Sequence, residues 1–92
     1  MGRSDTNPRD TQTVALNALV WTLGDERRAE RLVSLTGLTP ADLRARLAEP
    51  PVLAACLAFL EGHEPDLLAC ADAIGATPEA LVAARAALER AA

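Results

Sequence analysis

Val52-Leu-Ala-Ala-Cys-Leu-Ala-Phe-Leu60 decides how the rest of this 92-residue chain is read. It is the longest uncharged, almost wholly apolar run, with Pro50-Pro51 before it and Glu61-Gly62 after it. Proline suits the first turn of a helix and glycine the position just past its end, so these flanks mark a start and a stop. A bilayer span needs about 20 apolar residues, and this run has far fewer. A short helix that is apolar all round is expected to be a core helix.

Outward from it, glycine and proline cut the chain into further helices. On the N-terminal side, Thr11–Leu23 is apolar at Val14, Leu16, Ala18, Leu19, Val20, Trp21 and Leu23, and Gly24 closes it. Asp25 is a good N-cap for a helix to about Thr36, with Ala29, Leu32, Val33 and Leu35 expected on its inner face. Gly37 stops it, and Thr39-Pro-Ala-Asp42 starts a third, with a capping threonine and an acid three residues later. On the C-terminal side, His63-Glu-Pro65 opens a helix that faces inward at Leu67, Cys70, Ala71 and Ile74 and ends at Gly75. Thr77-Pro-Glu79 starts the last, to about Arg90. The expected fold is all-α: five or six short helices in one compact bundle, with no strand and a core centred on Trp21, Leu57 and Phe59. Residues 1–10 are polar, lack the apolar segment of a secretory signal, and read as a tail before a single helical domain at 11–92.

A shift of 38 residues lays the chain over itself. Val14, Leu19, Gly24, Glu26, Gly37, Thr39-Pro40, Leu43, Ala45 and Ala48 then meet identical residues, and Trp21 meets Phe59. Those ten identities across 13–48 compare with about four from residue frequencies alone. The chain is therefore two three-helix repeats, 11–49 and 50–91, whose simplest packing is about a pseudo-twofold axis with the first and fourth helices at its centre.

Leu35-Thr-Gly-Leu-Thr-Pro-Ala-Asp-Leu-Arg-Ala-Arg46, the double proline, Leu57-Ala-Phe-Leu-Glu61 and Thr77-Pro-Glu-Ala-Leu81 together resemble an uncharacterised family of short, mainly alphaproteobacterial proteins. It is the domain-of-unknown-function family numbered thirty-five seventy-two. The resemblance spans about residues 11–90 and implies a cytoplasmic helical protein; it brings no activity, cofactor or site residue.

Composition narrows the chemistry. Alanine and leucine dominate, Trp21 and Phe59 are the only aromatics, and all nine cations are arginine, a pattern that reads as codon bias of a GC-rich genome. A net charge of −4 works against nonspecific binding to nucleic acid or anionic membranes. Cys56, His63 and Cys70, spaced seven and seven about one turn, with Glu64 or Asp66, could in principle hold zinc. The repeat argues otherwise: Cys56 takes the place of Ala18, Cys70 that of Leu32 and His63 that of the capping Asp25, so the cysteines are expected to be small buried hydrophobes. No metal, cofactor or disulfide is expected. With one histidine, no nucleophile–base pair and no phosphate-cradling glycine loop, the chain does not read as an enzyme.

Two binding readings are left. The Gly-x-Thr-Pro turns resemble those of a helix-turn-helix, and Arg27, Arg28, Arg31, Arg44 and Arg46 could form a patch for anions or nucleic acid, whereas 47–84 contains no cation. That reading is disfavoured, since Glu30 and Asp42 are spaced to pair with Arg27 and Arg46. The preferred reading is a protein-interaction module that binds another protein or a second copy. Where the first repeat has Glu30, Asp42 and Arg44, the second has Leu68, Ala80 and Val82, which would then form an exposed apolar interface.

Overall fold

Six helices and no strand form among residues 8–91, the part of the chain that the computed structural model describes: α1 Pro8–Leu23, α2 Glu26–Thr36, α3 Pro40–Ala45, α4 Pro50–Glu61, α5 Glu64–Ile74 and α6 Pro78–Ala91. Of the residues 1–10 expected as a tail, Pro8–Asp10 belong to α1. Residues 1–7 lie outside the described residues. A Cα radius of gyration of 12.2 Å matches the about 12 Å of a compact chain of this length.

The helix ends are where their caps require. The Asp25 carboxylate accepts the backbone N–H groups of Arg27 at 2.9 Å and Arg28 at 3.1 Å. Thr39 and Asp42 form a reciprocal capping box, and the Thr77 hydroxyl accepts from the Ala80 N–H at 3.0 Å. These groups satisfy N–H donors that have no partner inside the helix. Gly37 and Gly75 end α2 and α5 at φ 76° and 73°, in the left-handed region that glycine adopts at least cost.

The quoted stretch is the centre of the molecule. α4 packs against α1, α2, α5 and α6, and buries Val52, Leu53, Ala54, Cys56, Leu57, Phe59 and Leu60. Its burial is not complete all round: Ala58 is exposed and Ala55 half-buried. Two further expectations need correction. Trp21 is only half-buried, at the edge of the core, with the Arg28 guanidinium stacked 3.6 Å from its ring centre. Leu35, expected on the inner face of α2, is exposed, and the inward residue of that helix is Leu32.

Burial follows the 38-residue shift closely. The six buried residues of the first repeat are Ala15, Ala18, Leu19, Thr22, Leu32 and Leu43; their partners Leu53, Cys56, Leu57, Leu60, Cys70 and Leu81 are all buried too. Thr22 is the one polar residue in this set, and its hydroxyl donates to the Ala18 carbonyl at 2.8 Å within the helix. A twofold arrangement does not follow from this. It would need α3 to lie along α1 as α6 lies along α4, and α1 and α3 make no comparable interface. The physical reason is local. α3 has six residues where α6 has 14, because Arg46 leaves helical geometry at φ −117° and Glu49, ahead of Pro50, is extended. Proline disfavours helical backbone in the residue before it, so α3 cannot run on into α4.

Candidate protein-docking surface

Three of the five arginines expected as a patch have partners within the chain. Arg28 stacks on Trp21, donates to the Trp21 carbonyl at 2.8 Å and approaches Asp25 at 3.7 Å. Arg31 pairs with Asp66 of α5 and lies 5.9 Å from the centre of the Phe59 ring. Arg46 donates from Nε to Glu49 at 3.0 Å. Arg27 and Arg44 have no ion-pair partner among the described residues, so the expected Glu30–Arg27 pair is not formed; Asp42 caps α3 and does not reach Arg46. Three of the five thus stabilise the chain's own fold, a use that competes with binding a phosphate backbone.

The cysteine–histidine set is also divided. Cys56 and Cys70 are buried free thiols. Burial pushes the Cys56 thiol up to about 12, with a smaller upward effect from nearby Cys70, although its contact with the Thr22 hydroxyl at 3.7 Å works the other way. Burial likewise raises Cys70 to about 11. Thiols held protonated in this way are poor nucleophiles and poor ligands. His63 is exposed at the start of α5, with Nδ1 3.0 Å from the Asp66 carboxylate. No three His, Cys, Asp or Glu side chains converge as a metal site among the described residues.

The apolar surface is larger than the three residues expected from the repeat. Leu68 and Val82 are exposed, at 49% and 37%, while Ala80 is half-buried in an alanine-lined hollow between α1 and α6. More exposed than either are Leu35 at 73% and Val20 at 66%, both in the first repeat. Leu35 stands at the edge of a shallow groove of about 480 Å³ that runs along the outer face of α4. Leu38, Val52, Ala55, Ala58 and Phe59 line it, and Arg46 is at its rim where α3 has ended. Leu35 also borders a second hollow on α2, with Arg27, Glu30, Arg31 and Ser34. A concave apolar strip with charged edges on a helix surface is the form that helix-in-groove recognition takes.

Sequence reasoning missed this groove because it assigned Leu35 and all of α4 to the core. A signal was present: ten or so consecutive apolar residues in one helix exceed what a chain this small can cover on every side. No single helix among the described residues is long and apolar enough to cross a membrane. A family model described as "Protein of unknown function (DUF3572)" matches residues 8–91. No curated protein and no solved structure matches the chain.

Proposed function

The chain belongs to the DUF3572 family, which carries no assigned activity, and from that premise we propose that it is a cytoplasmic protein-binding module and not an enzyme. The observation that carries the reading is the α4 groove: a core helix leaves Ala58 exposed and Ala55 half-buried beside a leucine that is 73% exposed. Apolar surface grouped in this way, rimmed by charge, is the ordinary mark of an association site. The apolar lining of the groove suits an amphipathic helix, whose apolar side chains at i, i+3 and i+4 would lie against Leu35, Ala55, Ala58 and Phe59.

The test is capture of a partner by wild type and by two groove variants. Ala58→Arg and Leu35→Asp both alter exposed positions, so their melting temperatures should stay close to that of wild type. Both should lose the partner. Capture that survives both substitutions, in protein that remains folded, contradicts the groove as the docking surface.

A further inference from the structure

We infer that residues 25–49, the segment carrying α2 and α3, form a hinged jaw that opens as a unit from the body of α1, α4, α5 and α6, with the Arg31–Asp66 ion pair as its latch. The use of that motion rests on the docking reading above, while the motion itself is tested without a partner. The groove has one wall on each side of the division. Leu35, Leu38 and Arg46 belong to the segment, and Val52, Ala55 and Phe59 belong to α4. Movement of one against the other therefore sets the width of the groove.

The segment is braced internally and attached lightly. Asp25 caps α2, Thr39 and Asp42 cap α3, and Arg46 pairs with Glu49, all within 25–49. Two of its residues, Leu32 and Leu43, are buried, whereas the matched 63–87 buries Cys70, Ala71, Leu81 and Ala84. α3 makes no sizeable interface with another helix. Among the described residues, two side chains make polar contacts from the segment to the body. Arg28 donates to the Trp21 carbonyl while stacked on its ring, and Arg31 pairs with Asp66 of α5. A region with few buried apolar side chains opens at lower free energy than the core it rests on. Its ends are breaks in the helical chain, Gly24 on one side and 47–49 on the other. Element termini of this kind are where hinges absorb backbone rotation. Swinging out, the segment carries Leu35 and Leu38 away from Phe59 and withdraws Leu32 and Leu43 from the core, so that the groove becomes a wider apolar trough on α4. A partner that binds the open form more tightly shifts the chain toward it.

Native-state hydrogen exchange of the purified chain tests this at single amides. Leu32 and Val33 of α2 and Leu43 of α3 should share one protection factor, at least about tenfold below that of Leu57 in α4. Two variants then separate opening of the segment from unfolding of the whole chain. Ala84→Gly weakens α6 beside the hollow between α1 and α6, which no residue of the segment lines. It should speed exchange in α4 several-fold and leave the segment's rates as they were, because α6 stays folded while the jaw is open. Arg31→Ala removes the tie to α5 and should speed exchange in the segment several-fold. Equal protection of the segment and α4 in wild type overturns the jaw, as does a rise of both by the same factor in Ala84→Gly. Unequal protection of α2 and α3 overturns their opening as a unit, and an Arg31→Ala segment that exchanges as in wild type overturns the latch. Partner capture plays no part in these rates, so failure of the docking reading leaves them unchanged, and failure of the jaw leaves that reading standing.

Discussion

The two halves of the chain related by the 38-residue shift share every buried position of the first and differ in what they leave uncovered. In the second, α6 runs 14 residues and lies along α4; in the first, α3 stops after six and makes no such interface with α1. The same six positions are buried in each repeat, so the inward pattern is common to both and the length of the third helix is not. α3 stops where Arg46 leaves helical geometry, and Pro50, which holds Glu49 extended, keeps it from resuming before α4 begins. The groove opens at that break, with Arg46 beside it. The two halves thus share their buried positions while the length of the third helix changes the exterior, which is where a partner would dock.

The strongest challenge to this comparison is truncation of its shared core. Leu19→Ala and Leu57→Ala remove buried, repeat-matched leucines and should each cost about 2–5 kcal/mol in urea unfolding. For a domain with about 5–15 kcal/mol of total stability, either variant is close to unfolding. A cost below about 1 kcal/mol at one of the two positions would show that their cores are not equivalent. Next in size is Cys56→Ser, which puts a hydroxyl where the first repeat has Ala18; it should cost about 1–3 kcal/mol. The intact thiols should also be nearly silent to a disulfide reagent at neutral pH, and react once the chain is unfolded, because burial holds them protonated.

The turn glycines give a sharper comparison at smaller cost. A Cβ at Gly37 or Gly75 would meet no atom within 4 Å, so only the left-handed backbone opposes alanine. Gly37→Ala and Gly75→Ala should cost about 1–2 kcal/mol each, and by similar amounts, in parallel denaturation curves. The smallest effect separates the N-caps. Asp25 caps α2, but His63 at the matched position of α5 makes no side-chain cap bond. His63→Asn should therefore stabilise by about 0.5–1 kcal/mol. Asp25 has its acidity increased, chiefly by the Arg28 backbone N–H, to below the ordinary 3.8. Its contribution is complete above the unfolded value and is lost as pH falls through the lower folded one. Asp25→Asn keeps a capping oxygen and should remove that acid-limb loss, seen as a flatter dependence of unfolding midpoint on pH.

Much of this fold is legible in the residues because its determinants are local. Thr39-Pro40 and Thr77-Pro78, Gly37 and Gly75, and the Asp25 cap are short signals, and each helix starts or ends where they say. The interior was legible at the positions related by the shift, such as Leu19 and Leu57. Exposure was less so. Leu35 has the spacing of an inward residue, yet α2 ends one residue later and nothing beyond it covers that side chain. Trp21 has the size of a core residue, but Arg28 one turn into the next helix is what covers its ring. Both outcomes depend on where neighbouring helices stop, which is tertiary information that periodicity does not contain. The exposure of Leu68 and Val82 was legible through the repeat, and the groove along α4 was not.

The central claim, that the groove on α4 is the surface this chain uses, is tested most directly by photocrosslinking from matched positions. Ala58 and Val20 are related by the repeat, and both are exposed, but only Ala58 lies in the groove. A photoreactive side chain introduced at each, with irradiation in whole lysate and in the purified protein, compares the two repeats at one chemical position. The account predicts a discrete adduct from position 58 and none from position 20. An adduct from position 20 with none from 58 would contradict it.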